Sequence, residues 1–443
     1  MAKVNVKSST RTHEGGKAVT LSPEKELLRA VMTCMLFEDN FYEKGSDLAK
    51  RITDLCGKVS PEYISELAIK ARNDMYLRSV PLFLTRQLAR RPAGALIGRT
   101  IETVVQRADE LAEFMAMYFM DKKQPVSAQV KKGLAKAFTK FNEYQLAKYN
   151  GGDKAVKLRD VLFLCHAKPK DVEQEAVWKK LVDNKLEIPD TWETQLSAGK
   201  DKKATFERLI LEKKLGYMAL LRNLRNMEQA KCDSDLISKA LTNTEAIEKS
   251  KILPFRYMAA HQNVTSAQIR KNIEIAFIQS MKNLPVLPGI SIIVVDVSGS
   301  MDAQISDKSD MTRLQAASCL AACIRESSNA MIYSFSNELV KVTTKKHGLD
   351  MAKEIVDSQD HGGTELGKCL RKLDGDPCDR VIVLTDEQTH DTIIPCWAKK
   401  GYIVNLCGYK PSVSYAGNWE MIAGWSDKIV NYISEIEKTN WDK

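Results

Sequence analysis

Two periods of apolar residues divide this chain of 443 residues. In the first part the period is helical. After Ser22-Pro23-Glu24, residues Leu27, Leu28, Val31, Met32 and Met35 share one face; after Ser60-Pro61-Glu62, Ile64, Leu67, Ala68 and Ala71 do the same. Each start offers a serine N-cap, a proline at the first helical position and an early acid. The two starts lie 38 residues apart, near the roughly 40-residue period of HEAT or armadillo helix pairs. No convincing strand is predicted before about residue 288. Beyond it, apolar runs at 290–295, 331–335, 381–384 and 402–406 alternate with helical stretches, which predicts βαβ units and a parallel sheet. Leu314, Ala317, Ala321 and Ile324 mark the helix after the first run, and a helix over 427–438 closes the pattern. Residues 284–289, with two prolines and a glycine, read as a linker. The fold class expected is multidomain α and α/β. Residues 1–20 form a flexible N-terminal segment, 21–285 a helical-repeat domain, and 286–443 a doubly wound parallel-sheet domain.

The first predicted strand runs directly into Asp296-Val297-Ser298-Gly299-Ser300. A parallel strand ending this way presents a carboxylate and two hydroxyls at the end of the sheet where ligands bind. Gly362-Gly363-Thr364 precedes a predicted helix over 365–373, and Asp386 ends another strand. Hydroxyl and carboxylate oxygens suit a hard divalent cation, most simply Mg2+. A polar turn after a strand is the plain alternative. The set Asp296, Ser298, Ser300, Thr364 and Asp386 resembles the metal-ion-dependent adhesion site of von Willebrand factor A domains. The resemblance implies that the two serines and the threonine are ligands, and that the two aspartates bind directly or through water. Neutral hydroxyls would leave the cation able to accept a partner's carboxylate or phosphate.

Charge separates the same two parts. Residues 286–443 hold 17 Lys plus Arg against 22 Asp plus Glu; residues 1–285 hold 49 against 35, a balance of +14. A basic helical part suits a polyanion, although a lysine-rich solvated surface looks the same in composition. Leu134, Ala137, Phe138 and Phe141 form an apolar stripe with Lys132, Lys136 and Lys140 on the opposite side, which predicts three cations facing solvent. Lys148, Lys154, Lys157, Arg159, His166, Lys168 and Lys170 follow. The ten cysteines include no Cys-x-x-Cys pair and read as reduced thiols. With a polar start over 1–20 and no apolar run long enough for a membrane span, a cytoplasmic protein without membrane association is expected.

The segments Lys157-Leu158-Arg159-Asp160-Val161, His166-Ala167-Lys168-Pro169, Ala219-Leu220-Leu221-Arg222-Asn223-Leu224 and Leu253-Pro254-Phe255 resemble the TROVE module of Ro proteins and their bacterial and viral relatives. Thr10-Arg11-Thr12-His13-Glu14-Gly15 and Phe37-Glu38-Asp39-Asn40-Phe41-Tyr42 resemble the bacterial type. The resemblance implies a ring of HEAT-like repeats closed by a von Willebrand factor A-like domain. It implies a non-enzymatic ribonucleoprotein component with a small Y-like RNA on its outer basic surface and single-stranded ends of misfolded RNA in a central hole, acting in non-coding RNA quality control or processing. By match to the family's Leu-x-x-x-His-x-Lys-Pro segment, His166 is the first RNA-contact candidate, followed by Lys148, Arg159 and Lys168; Lys132, Lys136 and Lys140 rest on helix geometry alone. An exoribonuclease tethered through the RNA is a further implied partner; DNA binding is not expected, and a monomer is. Asn150-Gly151-Gly152-Asp153 is less basic than the animal proteins are there.

Two other function classes compete. Gly362 to Lys368 mimics a phosphate-binding loop, but Cys369 stands where Ser or Thr should hold Mg2+ and no strand precedes it. Asp296 lacks the second acid a phosphatase nucleophile needs, and neither motif serine has a nucleophile elbow. The remaining alternative is an intracellular metal-dependent docking scaffold that uses the adhesion-type site.

Overall fold

The computed structural model describes residues 18–20, 22–32, 45–120, 125–151, 154–252, 254–305, 311–386, 389, 391–406, 413–415, 418–423 and 429–438. The motif stretches at 10–15 and 37–42, with Leu253, Met35, Cys34 and Cys407, lie outside them. The described residues group into two compact units, one drawn from 23–37 and 46–194, the other from 1–22, 38–45 and 195–443. The helices over 202–280 thus group with the sheet.

Among its described residues the first unit has helices joined by loops and no strand. Ser60 caps the helix Pro61–Asn73, its Oγ accepting the Tyr63 N–H at 3.1 Å, and Ser127 caps Ala128–Phe138 through Val130 N–H at 3.3 Å. Leu134, Ala137, Phe138 and Phe141 are buried as the helical period requires. The helices Ala95–Val104 and Ala128–Phe138 approach each other closely. A Cβ on Gly133 would stand 2.8 Å from both the Gly98 carbonyl oxygen and Ile101 Cβ, so only glycine permits the approach. A buried ion pair joins two further helices: Arg72 on Pro61–Asn73 meets Glu110 on Ala108–Tyr118 at 2.7 Å. The other Glu110 oxygen accepts the N–H groups of Gln106 and Arg107, so the carboxylate also caps its own helix.

The second unit carries helices and a six-stranded sheet. Its strands are β1 (Ala18–Thr20), β2 (Ser291–Asp296), β3 (Ala330–Phe335), β4 (Leu339–Lys341), β5 (Arg380–Thr385), β6 (Lys400–Asn405), β7 (Val413–Tyr415) and β8 (Trp419–Ala423). The large sheet has the order β4-β3-β2-β5-β6-β8, parallel except for β4. Every residue of β2 and β5 is buried, as expected of strands covered on both faces. Ile292, Val294, Val381, Val383 and Ile403 face the helix Leu366–Leu373. On the other face the helix Arg313–Ser327 packs against β2 and β3, and Tyr402 donates its hydroxyl to Glu437 on the helix Ile429–Lys438. The sheet is therefore doubly wound.

Strands also occur where none is predicted. β1 pairs antiparallel with β7, Ala18 opposite Tyr415, so the end of the expected N-terminal segment is strand. Three residues carry no period of their own, and the partner lies almost the whole chain away.

Candidate functional site

The chain leaves β2 for β3 on one side and reaches β5 on the other, which makes the carboxyl ends of β2 and β5 the place where the sheet opens to a ligand. Asp296 ends β2 and Asp386 follows β5; both are buried. Thr385 Oγ1 donates to Asp296 Oδ2 at 2.6 Å, tying the two strand ends together, while Asp296 Oδ1 accepts the Ser298 N–H at 2.9 Å. Burial pushes the Asp296 carboxyl up to about 6, against the pull of these hydrogen bonds. Ser298 and Ser300 stand with their hydroxyls 3.3 Å apart.

The second loop arrives through backbone contacts. Gly299 N–H donates to the Gly362 carbonyl at 3.1 Å. A Cβ on Gly362 would lie 2.4 Å from Asn337 Nδ2, so the glycine lets the loop pass and Asn337 Oδ1 then accepts the Gly363 N–H at 2.9 Å. Thr364 follows, its carbonyl accepting from Thr389 Oγ1. The structure thus brings both aspartates and both serines to one crevice and joins the Thr364 loop to it.

Sequence reasoning missed Arg313, the first residue of the Arg313–Ser327 helix. Its guanidinium, almost wholly buried, donates to Asp386 Oδ2 at 2.9 Å and to the Ser300 carbonyl at 3.3 Å. A charged residue opening a helix that is buried along most of its length was the available signal. Asp386 Oδ1 is buried and has no hydrogen-bond partner. A buried carboxylate oxygen without a partner is costly unless something coordinates it, and carboxylate and hydroxyl oxygens are the donors a hard cation takes. Among the described residues no group of three His, Cys, Asp or Glu gathers.

The phosphate-loop mimic is closed to anions at its helix start. Asp391 accepts the N–H groups of Gly367 at 2.8 Å and Lys368 at 2.6 Å, which are the amides a phosphate would need. The described cysteines are free, and burial pushes the Cys369 and Cys396 thiols up to about 11, away from reactivity.

In the helical unit His166 is exposed and ends the helix Leu158–Cys165 in a left-handed conformation, φ 51°. Lys148, Arg159, Lys168 and Lys132 are exposed. Arg159 lies 3.9 Å from Asp160, and Lys148 Nζ stands 5.8 Å from the Tyr149 ring centre. Lys136 and Lys140 are exposed as well, but unlike Lys132 each also engages the neighbouring helix. Lys136 pairs with Glu102 at 3.1 Å, and Lys140 Nζ donates to the carbonyls of Glu102 and, at 3.0 Å, Val105. The Gly98–Gly133 approach brings the end of the Ala95–Val104 helix within reach, and lysine satisfies the carbonyls left open there. Burial holds the Lys140 ammonium below its ordinary range.

Fold and site define a helical scaffold joined to a doubly wound sheet with an oxygen-lined crevice. The TROVE domain family model matches residues 16–184 and 183–319, and the chain belongs to that family, whose members are generally RNA-binding components of ribonucleoproteins. The crystal structure of the Deinococcus radiodurans RO (RSR) protein superposes with a TM-score of 0.67 over 93% of this chain and 99% of that one; at 18% identity this likeness is one of fold. Telomerase protein component 1 of Mus musculus is 35% identical over 91 residues, and that of Rattus norvegicus 34% over 91. These stretches span 19% of this chain and only 4% of the length of those proteins. Among the described residues no helix is long and apolar enough to cross a membrane.

Proposed function

We propose that this protein is a ribonucleoprotein component that holds a small structured non-coding RNA on the basic surface of its helical unit. It also takes the single-stranded ends of misfolded RNAs, in a quality-control or processing role. The observation that carries the reading is a family match over 16–184 and 183–319 that coincides with the exposed cations Lys148, Arg159 and Lys168 and the exposed His166 beside them. Cations on a helical scaffold give phosphate affinity without sequence preference, and the shape of the RNA supplies the choice. Sequencing the RNA that copurifies with the protein at two salt concentrations tests it: small structured RNAs should be retained at the lower salt. A random sample of cellular RNA, or none, would contradict it.

The sheet unit in this reading is a von Willebrand factor A-like domain with an adhesion-type metal site. Ser298, Ser300 and Thr364 would hold Mg2+, with Asp296 and Asp386 binding directly or through water. The ion would supply a Lewis-acidic position for a partner's carboxylate or phosphate. The unpartnered Asp386 oxygen supports this, and favours metal-dependent docking of a protein as a second role compatible with the first.

A further inference from the structure

The helix Leu158–Cys165 buries Leu158, Val161, Leu162 and Cys165, a complete i, i+3, i+4, i+7 face. Phe163 and Leu164 are left over on the outside, Phe163 59% exposed. Nothing in the packing of this helix needs a phenylalanine there. The segment that carries it is basic: residues 157–170 hold Lys157, Arg159, Lys168 and Lys170 against Asp160, with Asp171 following 3.9 Å from Lys170. Arg159 precedes Phe163 by four residues and therefore shares its helix face, and exposed His166 follows where the helix stops. An apolar ring set among cations is poorly matched to an ordinary apolar protein surface. It matches a single-stranded nucleic acid, which offers a π-face and a phosphate at every residue. Exposed Tyr144, four residues before Lys148, repeats the spacing. Burial and then the charges of Glu193 and Asp190 push its hydroxyl up, which marks a more acidic setting, so the inference is confined to Phe163.

We propose that Phe163 is the stacking platform of the RNA surface: one unpaired base lies on its exposed ring while Arg159, His166 and Lys168 take the flanking phosphates. This rests on the RNA-binding reading and adds to it the structural class of RNA segment recognised here, an unpaired stretch rather than a duplex.

The test uses the full chain and a short oligouridylate carrying one 2-aminopurine, with affinity and fluorescence measured over a range of salt. Phe163→Ala should weaken binding by about five- to hundredfold and lose the quenching of the probe, with the salt dependence unchanged because no charge is removed. Phe163→Trp should restore both. The thermal midpoint of Phe163→Ala should match wild type, since the buried face of the helix is intact. Arg159→Gln with Lys168→Gln serves as the charge control. If the charge variant binds more weakly and Phe163→Ala binds as wild type does, the platform is wrong and RNA binding stands; the exposed ring then belongs to a protein interface. If wild type does not bind the probe at any salt, both readings fail.

Discussion

Arg313 and Asp386, 73 residues apart in sequence, form a buried ion pair of 2.9 Å at the mouth of the sheet crevice. The guanidinium takes one carboxylate oxygen and leaves the other without a partner. Arg313 thus compensates part of the negative charge a divalent cation would otherwise neutralise. Removing it while keeping bulk, as in Arg313→Met, should cost about 3–5 kcal/mol in the absence of divalent ions, because Asp386 is left as an uncompensated buried charge. Added Mg2+ should then raise the thermal midpoint of the variant by more than it raises that of wild type. Equal shifts in the two proteins would show that the pair and the ion do not share Asp386.

Glycine at 133 is a packing requirement. Gly133→Ala would place a methyl 2.8 Å from Gly98 O and Ile101 Cβ. Overpacking of this kind costs about 1–3 kcal/mol, more than the roughly 1 kcal/mol alanine gains in helix propensity. A lowered urea midpoint is expected; an unchanged or raised one would mean the two helices separate freely.

Much of this is legible in the chain. The apolar runs predict β2, β3, β5 and β6 within one or two residues, since buried strands are continuous apolar runs between turns. They do not predict β4 and β8: each lies at an edge of the sheet, and Leu339–Lys341 is too short to show a period. The crevice residues Asp296, Ser298, Ser300 and Asp386 are readable because their donors stand at strand ends. Arg313 is not, because its role appears only when the start of a helix is laid against a distant strand. The lysine face of Ala128–Phe138 shows the same limit. Helical spacing gives its direction correctly, but not the neighbouring helix end that Lys136 and Lys140 reach.

That distinction separates two kinds of lysine. Lys140→Met should lower stability by about 1–2 kcal/mol, since it removes charge-assisted bonds to the Glu102 and Val105 carbonyls, and should leave the salt dependence of RNA binding unaltered. Lys148→Gln and Lys168→Gln should do the reverse: thermal midpoints as in wild type, and a log–log salt slope shallower by about 0.7 for each phosphate no longer neutralised. A Lys140 variant that reduces the slope would return that residue to the RNA surface.

Glu338 provides a pH signature in the sheet unit. Hydrogen bonds from Lys372 and then Lys368 hold its carboxyl down at about 2, against an ordinary 4.5. An acid depressed in the folded state adds stability that is fully present above 4.5 and lost as pH falls through about 2. Glu338→Gln should therefore be slightly less stable than wild type at neutral pH, the two converging as pH falls below 4.5. Urea midpoints across that range check this; a difference that grows toward acid would have the wrong sign.

In the proposed function, exposed cations of the helical unit hold RNA through its phosphates. The most direct measurement is the salt dependence of affinity for a single-stranded RNA, comparing wild type with a protein in which Lys148, Arg159, His166 and Lys168 are all replaced by glutamine. Wild type should bind tightly at low salt with a steep linear fall of log affinity with log salt, and the variant should bind more weakly with a slope shallower by about 2. The same affinity and slope in both proteins, or no binding by wild type at low salt, would contradict it.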